Sequence, residues 1–241
     1  MARGNCMVTR NDRGGPRDLS TAPRDVQKIR SKSHRNSHRR DPERTREAIL
    51  AAAQNEFALK GLSGGRVDEI ARRARANKRM IYHYFGSKQG LYLAVLERVY
   101  EGLRGSERTL ELADLEPEAA IKRLIEFNFD YCRDHPELIS LINNENLHRA
   151  RHLRQSKKVR ELHSPFVRLI DDILKRGVAQ GVFRPGLDPV NLYVTIAAMA
   201  CFYLSNNWTL SAIFGRSLGT DAACRSRKRH NVEIILAAIR A

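Results

Sequence analysis

From Asp41 onward, apolar side chains recur at three- and four-residue intervals, the spacing that gathers them on one face of an α-helix. Asp41-Pro42-Glu43 supplies a helix start: a capping acid, a proline at the first helical position, and a second acid beside the positive end of the helix dipole. Ile49, Ala52, Ala53 and Phe57 then share a face, and Gly61 stops the run. A second, short helix carries Val67, Ile70, Ala71 and Ala74 on one side. A third begins near Asn77, a good cap, and turns Ile81, Tyr84 and Phe85 toward the first two. Gly86-Ser87-Lys88 breaks the chain, and Ser87 caps a long fourth helix containing Leu91, Ala94, Val95 and Val99.

The rest of the chain reads the same way. Glu116-Pro117-Glu118 opens a helix with Ile121, Leu124, Ile125 and Phe129 that ends before Pro136, and another runs from Glu137 to about His148. Ser164-Pro165 marks the start of the next, through Ile170, Ile173 and Leu174 to Gly177 or Gly181. Asp188-Pro189 starts a long apolar helix reaching Asn206-Asn207, and a last helix from about Arg227 carries Val232, Ile235, Leu236 and Ile239. With no alternating strand pattern, the expected class is all-α: a three-helix N-terminal unit over residues 41–86, then a larger helical domain over 87–241.

Charge changes this picture at one end. The chain of 241 residues has a net charge of +16, and half of that excess lies in residues 1–40, where 11 Lys and Arg face three Asp. This segment mixes Gly, Pro, Ser, Arg and Asn with almost no periodic apolar residues and reads as a disordered basic tail. It is either a flexible arm or sequence upstream of a later initiator such as Met7. It has no apolar stretch of the kind a secretory signal needs, and the longest apolar run, Val194 to Leu204, is too short to span a bilayer. Cys6, Cys132, Cys201 and Cys224 are scattered, which fits reduced thiols in a cytoplasmic protein rather than a disulfide framework or zinc site. The basic balance favours a polyanionic partner.

Two short helices braced by a third are the arrangement that sets a recognition helix into the major groove. Such a helix needs an apolar face to dock and an outer face of donors for phosphates and base edges. Helix three fits, with Ile81 and Phe85 inward and Lys78, Arg79, Tyr82 and His83 on the outer arc, while Lys88 adds a cation for a backbone phosphate. Phe57-Ala58-Leu59-Lys60-Gly61, Ile70-Ala71, Ile81-Tyr82-His83-Tyr84-Phe85 and Ser87-Lys88, continued by Leu91 and Ala94-Val95, resemble in fixed register the N-terminal domain of the tetracycline-repressor (TetR) family. The resemblance implies DNA contacts from Arg66, Asn77, Lys78, Arg79, Met80, Tyr82, His83, Tyr84 and Lys88. For Tyr84, half-buried packing is an equal alternative. Arg44 and Arg46 are either phosphate contacts or an ordinary exposed pair. Arg75 stands where the family usually has glycine in the turn, which suggests a different turn geometry because arginine does not favour positive φ. Asn77 replaces the usual Ser cap, Arg79 a frequent Gly or Pro, Tyr84 a His, and Arg66-Val67 a Thr-Thr.

Further on, Arg133-Asp134-His135-Pro136-Glu137, Asn144-Glu145-Asn146, Arg176-Gly177, Gly181-Val182-Phe183-Arg184 and Ser205-Asn206 resemble the branch that includes the pyrimidine-utilisation regulator. The family implies a small-molecule effector site in the C-terminal domain and dimerisation through the last two helices, here about 189–215 and 223–240. Candidate effector contacts are Asn128, Asn143, Asn144, Glu145, Tyr203, Asn206 and Trp208, polar or amphipathic residues in otherwise apolar helices. For the asparagine cluster, a helix end or kink is the alternative. Glu145, His148 and His152 share a rough helical face, but Arg149, Arg151 and Arg154 would repel a cation, so no metal or cofactor is expected. No nucleophile elbow, phosphate loop or carboxylate pair points to an enzyme. The expected protein is a homodimeric, effector-controlled regulator, a repressor by preference, on an inverted-repeat operator. A coating protein without sequence preference is the alternative.

Overall fold

The computed structural model describes residues 41–241, so the basic tail, with Cys6, lies outside the described residues. The described residues fold into ten α-helices: α1 Pro42–Gly64, α2 Val67–Arg73, α3 Lys78–Phe85, α4 Lys88–Arg108, α5 Pro117–Asp134, α6 Pro136–Leu147, α7 Lys157–Ala179, α8 Pro189–Ser205, α9 Asn207–Phe214 and α10 Asp221–Ile239. Among the described residues the sole strand-like feature is a bridge between Phe183 and Arg240. The class is all-α, as the pattern predicts.

The helix starts follow from local chemistry. Asp41 accepts the Glu43 backbone N–H at 3.0 Å, Asn77 that of Met80 at 2.9 Å, and Ser87 that of Gly90 at 3.0 Å, each satisfying an otherwise unpaired first-turn donor. Gly61 does interrupt α1: its φ of +65° kinks the last turn, which then continues to Gly64.

Two expected boundaries are corrected. Helix α7 starts at Lys157 under a Ser156 cap, so Ser164-Pro165 lies inside it. Val159, Phe166, Ile170 and Ile173 form one buried stripe across the proline, and that packing outweighs the lost backbone hydrogen bond. Helix α10 starts at Asp221, capped by Thr220, rather than near Arg227. Its buried face includes Cys224 and Asn231, and Lys228 on the same side pairs with Asp130 of α5 at 2.7 Å, so polar residues hide the apolar period there.

Ile49, Ala53, Phe57, Ile70, Ile81, Leu91 and Val95 make the core of the N-terminal helices, and Leu138 and Leu141 of α6 join it. Helix α4 thus leaves the N-terminal core and continues against α5 and α7. There Leu124, Ile125, Ile170, Ile173, Phe183, Ile196 and Ile235 form a second core, and Phe129, Ala200, Tyr203 and Leu218 a third, smaller one.

Candidate nucleic-acid interface

Helix α2, the turn 74–77 and α3 form a helix-turn-helix held from below by Ile70, Ala71 and Ile81, all buried. Arg75 in the turn takes φ +51°. This corrects the expectation of a different turn: the arginine adopts the left-handed conformation in which glycine is comfortable, because packing α2 and α3 on one core fixes the path between them.

The candidate contacts separate by environment. Arg79, Tyr82 and His83 are exposed on one arc of α3. Lys78 is exposed too, but its Nζ sits 2.5 Å from Asp68 of α2. Asn77 is exposed while its side chain caps α3. Met80 and Tyr84 are half-buried against the N-terminal core, and Tyr84 meets His83 and Phe85 edge-on. Lys88 donates from Nζ to the Ser63 carbonyl at 3.2 Å, which holds it beside the end of α1. Arg46 stacks over Phe85, 5.6 Å from the ring centroid, and also lies near Glu43 and Glu47.

Arg66 is exposed at the start of α2, and its backbone N–H donates to Glu56 at 3.2 Å. Glu56 is fully buried and also accepts from Lys60 at 2.8 Å, with Arg73 at 3.8 Å. Burial alone would raise its carboxyl, but the Lys60 and Arg66 hydrogen bonds and the Lys60 and Arg73 charges outweigh it and hold the group below its ordinary value. Hydrogen bonds from Arg72 and Arg73 take Glu69 down to about 2. In this structure both arginines are paired with Glu69 within α2.

The seven candidate effector contacts are not brought together. Asn144 accepts from the Tyr92 hydroxyl at 3.2 Å and the Leu62 backbone N–H at 3.4 Å, and it closes over Gly61, where a Cβ would meet its Nδ2 at 2.4 Å. Glu145 is buried and accepts the backbone N–H groups of His152 and Leu153 at 2.7 and 2.9 Å, with His152 Nδ1 at 3.1 Å. Both residues join α6 to the N-terminal helices and to the turn after α6. His148 instead meets the Asn144 carbonyl at 2.8 Å. Asn143 is exposed. Asn128 is buried, with its Oδ1 4.0 Å from Cys132 Sγ. Tyr203 is buried and donates to the Leu218 carbonyl at 2.8 Å. Asn206 ends α8 by donating to the Phe202 carbonyl at 2.9 Å, and Trp208 is 85% exposed on α9.

Sequence reasoning missed a buried polar group in the C-terminal interior. Arg104 and Glu107 of α4 are each only 2% exposed. Arg104 donates from Nη1 to Glu107 Oε2 and from Nη2 to the Tyr193 hydroxyl of α8, both at 2.5 Å. Its guanidinium lies 4.3 Å from the Phe166 ring centroid and 5.1 Å from that of Tyr193. Burial pushes the Glu107 carboxyl up to about 7 against the pull of Arg104. A signal was present: Leu96, Val99 and Leu103 set a buried stripe whose next position is Glu107.

Residues 49–95 match the family model described as bacterial regulatory proteins, tetR family. Residues 117–235 match that described as tetracyclin repressor-like, C-terminal domain. The chain is 39% identical over 181 residues to the HTH-type transcriptional repressor NicS of Pseudomonas putida, covering 75% of this chain and 85% of that protein. It is 29% identical over 198 residues to the HTH-type transcriptional regulator RutR of Escherichia coli, covering 81% and 90% respectively. RutR is the pyrimidine-utilisation regulator whose branch the C-terminal motifs resemble. The crystal structure of the putative transcriptional regulator SCO4942 from Streptomyces coelicolor aligns with a TM-score of 0.61 at 27% identity, covering 81% of this chain and 98% of that one.

Proposed function

The chain belongs to the TetR family of bacterial transcription regulators, and from that premise we propose that it is a homodimeric repressor of an inverted-repeat operator, released by a small molecule. It is a regulator and not an enzyme, in keeping with its relatives. The observation that carries the DNA reading is the exposed arc of Arg79, Tyr82 and His83 on a recognition helix seated by Ile81. On this reading Arg79 reads a base edge, Tyr82 and His83 flank it, and Lys88, steadied on Ser63, meets a backbone phosphate. Arg66 and Lys78 add phosphate contacts once Lys78 exchanges Asp68 for DNA, while Asn77, Met80 and Tyr84 shape the helix that presents them.

Dimerisation is supported by large apolar side chains left exposed on the last three helices: Val194 and Phe202 on α8, Trp208, Ile213 and Phe214 on α9, and Ile234 on α10. Such a dimer presents two recognition helices roughly 34 Å apart, one DNA turn. The effector acts by favouring a dimer whose recognition helices are wrongly spaced. Asn144 and Glu145 support a joint that transmits this shift rather than a lining of the effector site.

The deciding experiment is selection of bound duplexes from a random library at about physiological salt, where nonspecific affinity is already weak. Recovery of an inverted repeat establishes the sequence-specific dimer. Recovery of no motif, with binding that vanishes as salt rises, overturns it in favour of the coating protein.

A further inference from the structure

A guanidinium and a carboxylate taken together out of water stabilise a fold poorly, and apolar replacements of similar volume are often neutral or better. The Arg104–Glu107 pair is a weak one even by that standard. Arg104 Nε–H has no acceptor, and Glu107 Oε1 has no donor, although both atoms are buried. Each is a polar group whose desolvation is uncompensated within the chain. The walls around them are ring faces: Phe166 of α7 and Tyr193 of α8 lie against the guanidinium, and Phe166 belongs to the apolar core with Leu124, Ile125 and Ile170. One cation and one unused N–H are thus concentrated at a single point of the C-terminal domain, among aromatic rings, with the Tyr100 hydroxyl and a His163 imidazole that burial and the Arg104 charge push toward its neutral form.

We propose that Arg104 anchors the carboxylate of a small, otherwise apolar effector, which takes the guanidinium over from Glu107. This rests on the effector-controlled reading above and names the chemical class of its ligand. A carboxylate matches a guanidinium bidentately, which would employ Nε–H as well as an Nη group. A single buried cation balances a single negative charge, so a dianion such as a phosphate monoester would leave an uncompensated charge in the interior. Glu107 is a replaceable partner: burial raises its carboxyl to about 7, within easy reach of protonation, and a protonated Glu107 offers an O–H to the incoming carboxylate or to a neighbouring hydroxyl. Tyr193, which now accepts from Nη2, closes the site from α8.

The experiment titrates the full chain with sodium butyrate and sodium benzoate at constant ionic strength, with butyramide and benzamide as uncharged counterparts. Two readouts are followed, the thermal unfolding midpoint and the NMR resonance of the Arg104 Nε–H. The expected result is a midpoint raised by several degrees and a displaced Nε–H resonance with at least one carboxylate, neither with the amides. Both responses should fall at least tenfold in apparent affinity in Arg104→Lys, which keeps the charge but lacks Nε, and in Arg104→Met. Glu107→Gln should bind more tightly than the parent, because the competing carboxylate is gone, and it serves as the test should the Arg104 variants fail to fold. The proposal is overturned if the amides act like the carboxylates, if Arg104→Met or Arg104→Lys responds like the parent, if Glu107→Gln does not bind more tightly, or if no carboxylate registers. The effector-controlled reading is tested separately, by adding the small-molecule fraction of a bacterial lysate to the operator complex. Release of both parent and Arg104→Met leaves that reading standing without the anchor, and release of neither removes the reading itself.

Discussion

Two glutamates, each almost wholly withdrawn from water, lie in the two halves of this molecule under opposite conditions. Glu56, in the N-terminal helices, accepts from Lys60 and from the Arg66 backbone, and Arg73 stands 3.8 Å from its second oxygen. Glu107, in the C-terminal interior, has only Arg104; the second oxygen of each glutamate lacks a hydrogen bond, but that of Glu56 has the Arg73 charge nearby and that of Glu107 has no second cation among the described residues. One is held as an anion below its ordinary carboxyl value, and the other is raised to about 7. A well-supplied buried carboxylate is part of a scaffold, while a poorly supplied one is ready to change partner or protonation state. On the proposed reading the N-terminal unit keeps its chemistry on the outside, toward DNA, and the C-terminal domain keeps its chemistry inside.

The largest expected effect tests this contrast directly. Glu56→Gln should lower the unfolding free energy by about 2–3 kcal/mol at pH 7, because it strands donors around a buried site. Glu107→Gln should cost less, because the carboxyl it replaces is already raised to about 7 and the amide oxygen can still accept from Arg104 Nη1. Urea unfolding of both variants measures the difference, and equal losses erase it. On the outside of the N-terminal unit, Arg79→Ala should narrow the preference for operator over random duplex by about 1–3 kcal/mol. Lys88→Ala should weaken both duplexes alike and reduce the salt slope by about one. Indistinguishable effects in a binding titration at several salt concentrations break that division of labour.

The two glutamates should also respond to pH with opposite signs. Glu107 has a folded value above its unfolded one, near 4.5, so the unfolded chain loses this proton first and stability falls as pH rises from about 4.5 to 7. Relative to the parent, Glu107→Gln should gain stability across that window. Glu56 has a lowered folded value, so its contribution is present above about 4.5 and is lost as pH falls through that lowered value. Unfolding curves from pH 3 to about pH 8 separate the two cases. The smallest effect concerns the turn. Arg75→Gly should raise stability by about 0.5–1 kcal/mol by relieving a left-handed arginine, with a thermal midpoint a few degrees higher. A lower midpoint means that Arg75 makes compensating contacts.

The N-terminal helices were legible because their apolar spacing, caps and outer arc all agree, and Ile81 sits beneath Arg79, Tyr82 and His83 as the period predicts. Arg75 was misread because residue preference was weighed without the packing of Ile70 and Ile81 that overrides it. The starts of α7 and α10 were hidden by a proline within a continuous stripe and by Lys228 and Asn231 on a buried face. Asn144 and Glu145 stood out as polar residues in an apolar helix, but the partners that hold them, Leu62, Tyr92 and His152, are not adjacent in sequence and so were not legible. Arg104 and Glu107 were overlooked because charge argues against burial until a partner from another helix, here Tyr193, is known.

Helix α4 begins at Lys88, beside the recognition helix, and runs unbroken past Arg104. At about 1.5 Å per residue the two ends of that stretch are about 24 Å apart. Its length gives it the reach of a lever: a tilt of about 5° pivoting at Arg104 would swing the Lys88 end through about 2 Å. Two such helices in the proposed symmetric dimer, swinging in opposite directions, would change the span between recognition helices by about 4 Å out of roughly 34 Å. On the proposed dimer, a small displacement of this kind would be magnified into a misfit of phosphate-contact size, so that leverage rather than unfolding would suffice for release.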